Sequence, residues 1–279
     1  ITYFFILPKL SFNIYDYFIR FADDPSTFDG FTVGEYQTAE TARELSQTNA
    51  VYLTPWTAVN DFPNYELLLK DTTARGFDSS LCLPFQPGRT NDYLVNVLAD
   101  PSGLDRLSAR FPQGAVTKTI LHQPEPFPLT EVFTVPAEVE SPLFHLDGIQ
   151  FGEDISLVGS ELTSNRLSPG DTLTVTLVWK ALHPVNADLV AFIHLAPDAD
   201  SPPSAQDDSA PCRATYQTYL WREGEVVFDS HPIAIPADLP AGRYFLFVGM
   251  YSWPDQTPVP ITSAGGESAR LPNGQIEVA

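Results

Sequence analysis

Thr172-Leu173-Thr174-Val175-Thr176-Leu177-Val178-Trp179 alternates apolar and hydroxyl side chains. With a period of two, Leu173, Val175, Leu177 and Trp179 fall on one face of a strand and the threonines on the other. A strand of this kind covers a core on one side only, so it belongs to an antiparallel sheet with an outer face. Just before it, Ser168-Pro169-Gly170-Asp171 has the composition of a tight turn. Downstream, Leu189 to Leu195 (LVAFIHL) reads as a central strand, apolar on both faces. Short strands follow at Val226–Phe228, Ile233–Ile235, Tyr244–Tyr251 and Gln275–Val278, with PADLPAG at Pro236–Gly242 as a turn between two of them. About seven strands with such punctuation and no helical period predict an immunoglobulin-like β-sandwich over residues 143–279.

The preceding half has a different rhythm. Phe28, Phe31, Ala39, Ala42 and Leu45 recur at helical spacing, with Asp24 or Ser26 as a cap. Ala50–Thr54 (AVYLT) reads as a buried strand, Tyr65–Lys70 as a helix, and Leu81–Phe85 (LCLPF) and Tyr93–Ala99 as strands. Pro101–Arg110 is a further helix, and Val116–His122 and Glu131–Val135 are strands. Alternating helices and strands predict an α/β domain over residues 1–136. Pro136–Pro142 (PAEVESP) is read as the linker. The expected class is therefore α+β in two domains, an α/β domain followed by the sandwich. Ile1–Leu7 (ITYFFIL) is read as a first strand or as the end of a membrane helix in a longer chain. It is too short for a signal-peptide core with its flanks.

Composition excludes some functions. The chain has 279 residues, 35 acidic against 15 basic, and a formal charge of −20. Such a surface repels nucleic acid and anionic headgroups, so nucleic-acid binding is excluded. Cys82 and Cys212 lack the C-x-x-C spacing of a metal site. A long-range disulfide would need an oxidising compartment. The preferred reading is two free thiols, because each cysteine lies in a different predicted domain.

Candidate chemistry is sparse. None of the five histidines sits in a metal-binding pattern. His194, inside AFIHL, reads as a hydrogen-bonded core or face histidine rather than a ligand-orienting one. The acidic stretch Asp198–Asp208 carries hard oxygen ligands suited to Ca²⁺, but lacks the EF-hand spacing and is read as a solvated loop. There is no nucleophile elbow, phosphate-binding loop or dinucleotide fingerprint. No catalytic residue, metal or cofactor is assigned. Sugars stack their C–H faces on exposed rings, so Tyr216, Tyr219, Trp221, Tyr251 and Trp253 are weighed as a glycan platform. Packing is the preferred reading for Trp221, and Trp253 stands beside Pro254 in a loop. Trp221, Trp253 and Asp207 are the glycan-contact candidates.

Several motifs taken together resemble one family. SPGD before TLTVTLVWKAL, FIHL at Phe192–Leu195, Gln206-Asp207, W-x-x-G-E at Trp221, Gly224 and Glu225, and IPADLPAGRYFLFVGMY at Ile235–Tyr251 form one set. Tyr17-Phe18, Val51-Tyr52-Leu53, Arg75-Gly76-Phe77-Asp78, LCLP and Phe111-Pro112 form another. The chain resembles the extracytoplasmic C-terminal region of bacterial polytopic membrane glycosyltransferases, similar to protein mannosyltransferases and aminoarabinose transferases. That family's catalytic acid lies among the membrane helices, a portion with no counterpart here. The resemblance therefore implies a non-catalytic accessory region on the outer face of the cell membrane. Its partners would be the membrane-embedded catalytic portion of the same protein and a glycan or protein acceptor. The alternative is a stand-alone cell-surface or complex subunit that uses the sandwich for protein–protein contact. A soluble glycoside hydrolase is the weakest reading, because nothing marks a cleft with paired carboxylates.

Overall fold

The structure is a computed structural model. It describes residues 27–279 apart from 31, 57–62, 124, 140–147 and 264. The readings of Ile1–Leu7, of Tyr17-Phe18, of the cap at Asp24 or Ser26, and of the end of the linker lie outside the described residues.

The deciding strand forms as its pattern dictates. β10 (Thr172–Ala181) buries Leu173, Val175, Leu177 and Trp179 completely, while Thr172 is exposed. Gly170 supplies the left-handed φ of +92° that its turn requires. Asp171 steadies that turn by accepting the Ser168 N–H at 2.7 Å. β10 lies between β13 (Val226–Ala234) and β8 (Ile155–Leu162), antiparallel to both. The full order of this sheet is β3-β13-β10-β8-β7, with β3 Cys82–Phe85 and β7 Ile149–Phe151 at its edges. A second sheet, β12-β11-β14-β15-β9, shares its core. Its strands are β9 (Arg166–Leu167), β11 (Leu189–Ala196), β12 (Ala205–Ser209), β14 (Gly242–Ser252) and β15 (Ser268–Val278). β11 turns Ala191, Ile193 and Leu195 inward, and β14 turns in Leu246, Val248 and Met250. Each large aliphatic side chain buried in this way contributes about 1.5–3 kcal/mol.

The third sheet belongs to the first half. Its order is β2-β1-β4-β6-β5, from Arg75–Gly76, Ala50–Thr54, Asn91–Asn96, Pro128–Val135 and Ala115–Leu121 respectively. β1 is parallel to β2 and β4, and β6 is antiparallel to β4 and β5. Helix α1 (Val33–Leu45) lays Ala39 and Ala42 against one face, on Val51, Leu53, Leu94 and Val132. α2 (Pro63–Leu69) joins that layer through Tyr65 and Leu69. The other face presents Tyr52, Tyr93 and Phe133 to the sandwich core. There Tyr93 stacks on Phe111, just past α3 (Gly103–Arg110), and Phe111 meets Phe228 of β13.

The expected α/β domain followed by a separate immunoglobulin-like sandwich is thereby corrected. Strands hold 43% of the structure and helices 16%, in three five-stranded sheets. The LCLPF segment does form a strand, but it pairs with β13 and completes the sandwich sheet. Tyr52 to Phe228 is one continuous core. Local periodicity identifies a strand, but not which distant strand it will pair with. The preference for free thiols is also corrected. Cys82 of β3 and Cys212 are joined by a disulfide across 130 residues, a second lock between the halves. The acidic stretch is only partly a loop, because its end forms the edge strand β12.

Candidate functional site

Buried carboxylates sit in polar clusters; Asp92 accepts from Asn49 and Thr134, and three further clusters contain groups that could serve as acids and bases. Glu225 is fully buried and accepts hydrogen bonds from the Tyr52 hydroxyl (2.5 Å), the Tyr216 hydroxyl (2.9 Å) and the Arg222 backbone N–H (3.0 Å). Arg222 adds an ion pair at 3.2 Å and also donates to the Thr73 carbonyl. Burial pushes the Glu225 carboxyl up, and Arg222 and the hydroxyls pull it back. The W-x-x-G-E motif is thus a brace between sheets, with Gly224 at φ +77° making its turn.

The second cluster mimics a catalytic triad. Ser209 Oγ lies 3.3 Å from His231 Nδ1, and Asp229 Oδ2 lies 2.7 Å from His231 Nε2. A catalytic histidine needs a free nitrogen to take the serine proton. Here Asp207 Oδ2 occupies Nδ1 at 2.7 Å. Burial alone would lower the His231 pKa, but the two carboxylates override it and hold it at about 9. A buried imidazolium that donates from both nitrogens is not a base. Asp229 also accepts from Trp179 Nε1 and from the Cys212 N–H, so the cluster fastens the core to the disulfide. In the third cluster, Asp100 is held by Thr54, Ser79 and Arg106. None of the three offers a substrate an unused group.

The sequence candidates fall into different environments. Trp221 is 3% exposed and donates Nε1 to the Tyr216 carbonyl, which fits the packing reading. Asp207 is occupied by His231 and Arg213; burial would raise its pKa, but these partners hold it at about 2. Trp253 is 56% exposed, just beyond β14. The three do not form one surface. Asp198 spends its carboxylate on the N–H groups of Asp200 and Ser201. Among the described residues no group of acidic, histidine or cysteine side chains is placed to hold a metal ion.

Aromatic rings over which no layer of the described residues packs are found on the outer face of the β11–β14 sheet. Alternation sends Phe192 and His194 of β11 outward, with Phe245, Phe247 and Tyr251 of β14, all half-buried. The register sets Phe192 opposite Gly249 on one side and Asp208 of β12 on the other. A Cβ on Gly249 would lie 2.0 Å from Phe192 Cζ, so the ring rests on the glycine backbone. Tyr251 runs nearly parallel to it, 22° apart with centroids at 6.4 Å, and His194 follows at 4.6 Å. Polar groups border the rings. His194 Nε2 is 3.2 Å from Asp208, and Arg270 of β15 stands 3.6 Å over the Phe245 ring. Burial and then Asp208 push the Tyr251 phenol up, so it stays a neutral donor. Flat rings with hydrogen-bonding groups at their edges match the two faces of a sugar, apolar C–H and polar hydroxyl. Sequence reasoning weighed His194 and Tyr251 but missed Phe192, Phe245 and Phe247. A glycine inside an aromatic strand was the available signal, since it marks close approach to the backbone.

No family model matches this sequence, and no curated protein matches it. Solved structures that match include the C-terminal domain of wzt, 16% identical at a TM-score of 0.35, over 50% of this chain and 81% of that one. Another is AvmM, described as catalysing macrocyclization in alchivemycin A biosynthesis, 9% identical at a TM-score of 0.30, over 49% and 95%. At these scores neither carries an argument about fold or function. The glycosyltransferase reading has no sequence-family support and rests on the motifs quoted above.

Proposed function

We propose that this chain is a non-catalytic, extracytoplasmic accessory region of a membrane glycosyltransferase, and that its sandwich guides a glycan acceptor. The observation that carries the reading is the Phe192 ring seated on Gly249, beside His194 and Tyr251, on an uncovered sheet face. The disulfide supports the location, because such bonds persist in oxidising compartments outside the cytoplasm. The closed state of the three buried clusters supports the accessory role. Transfer from a lipid-phosphate donor needs a base at the acceptor and cations at the leaving phosphate. No helix among the described residues is long and apolar enough to cross a membrane, so the donor's lipid tail would be held by another part of the protein.

Two experiments test the reading. Sequencing upstream of the codon for Ile1 should reveal several membrane-length apolar segments in the same reading frame; a start codon and no such segments would overturn the assignment. Incubating the purified chain with a polyprenyl-phosphate sugar and mixed acceptors should give no transfer. Turnover that disappears on changing one of this chain's carboxylates would also overturn it.

A further inference from the structure

A cleft of about 400 Å³ opens where β2 of the first half meets the 3-10 turn Thr218–Leu220 of the second, away from the aromatic sheet face. Its walls combine ring surfaces with unspent positive charge. Trp56 packs edge-on to Tyr65 and lies against β2, where a Cβ on Gly76 would come within 2.8 Å of Trp56 Cδ2. Tyr219, on the opposing turn, is 52% exposed. Between them stand Arg75 and Lys70.

Neither cation is spent on a carboxylate among the described residues. Arg43, Arg106, Arg110, Arg166, Arg213 and Arg222 each pair with a carboxylate. Among the described residues Arg75 makes no ion pair; it donates Nη1 to the neighbouring Ala74 carbonyl, and its buried Nε has no partner there. Lys70 makes no ion pair or hydrogen bond among the described residues and is exposed. A guanidinium and an ammonium that no carboxylate neutralises can both pair with an anion arriving in the cleft. One carboxylate, Glu66, also lines the cleft, leaving a local excess of one positive charge on a chain of −20. The aromatic walls suit the C–H face of a pyranose, and Gln217 supplies an amide for its hydroxyls.

We infer that this cleft binds an anionic sugar residue, its ring against Trp56 and Tyr219 and its negative group at Arg75 and Lys70. The inference does not depend on the aromatic sheet face or on the glycosyltransferase assignment. The anionic group is a carboxylate or a phosphate, and the test separates the two.

The full chain carrying Phe192→Ala, which disables the sheet face, is titrated at low salt with a uronic-acid trisaccharide, a hexose 1-phosphate, the neutral trisaccharide and inorganic phosphate. Binding is followed by calorimetry. One of the two anionic sugars should bind at least tenfold more tightly than both the neutral trisaccharide and inorganic phosphate. Its affinity should fall about tenfold in Tyr219→Ala and in Lys70→Gln, both surface changes that leave the melting temperature in place. Arg75→Gln should lose more, and Tyr36→Ala, an exposed tyrosine on α1, should lose nothing. Raising the salt should weaken binding. Equal affinity for the neutral sugar, binding of inorganic phosphate as tight as that of the sugars, indifference to Tyr219→Ala, or no binding at all would each overturn the inference.

Discussion

The junction around Glu225 and the outer face around Phe192 use the same side-chain types in opposite ways. At the junction, Tyr52, Tyr216, Arg222 and Glu225 satisfy one another, and Glu225 has no exposed surface. On the sheet face, Phe192, His194 and Tyr251 lie side by side, half-buried, with no layer of the described residues over them. The difference shows that residue type alone does not mark a binding site. A ring or a charge is available to a ligand only where the fold leaves it unspent. W-x-x-G-E is conspicuous in sequence, yet it is structural. YFLFVGMY reads only as a strand, yet it turns Phe245, Phe247 and Tyr251 outward.

The comparison can be broken most forcefully at the junction. Glu225→Ala leaves the half-buried Arg222 without its carboxylate and two buried hydroxyls without their acceptor, and should cost about 3–5 kcal/mol in urea unfolding. A loss below about 1 kcal/mol would mean that the cluster is not a brace.

Raising the pH tests the His231 cluster. Its folded pKa of about 9 lies above the unfolded value near 6.5. The stabilisation is therefore complete below about pH 6.5 and is lost as pH rises through about 9. The full loss is about 3 kcal/mol, and His231→Gln should remove the slope in that window. A flat stability profile from pH 6.5 to 9 in the unmodified chain would contradict the buried imidazolium.

Replacing both cysteines, Cys82→Ser with Cys212→Ser, should cost about 2–4 kcal/mol. The two halves should still unfold together, because β3 pairing and the aromatic core remain. Two separate calorimetric transitions would show that the halves are independent.

The smallest stability effect belongs to the open face. Phe192→Ala should change the unfolding free energy by less than about 1 kcal/mol, since one surface of the ring is already in water.

Much of this was legible locally. The alternation in TLTVTLVW placed Trp179 inside, and the structure buries it completely. AVYLT, YELLLK and the segment before Arg110 formed the expected elements. What escaped was long-range. LCLPF declared itself a strand but not its distant partner β13, and Cys82 reached Cys212 only through that pairing. β12 was hidden because Gln206-Asp207-Asp208 has poor strand propensity; as an edge strand, it tolerates charge. LVAFIHL was read as a central strand apolar on both faces; its inner face is apolar, while its outer face sets His194 beside Phe192. Period two says which residues share a face, but not whether another layer covers it.

The central claim is that the uncovered face holds a glycan, and calorimetric titration of the purified chain with neutral oligosaccharides tests it most directly. The account predicts measurable binding that falls roughly tenfold in Phe192→Ala, equivalent to about 1.4 kcal/mol, at an unchanged melting temperature. Binding that is the same in both proteins, or absent from the unmodified chain, would contradict it.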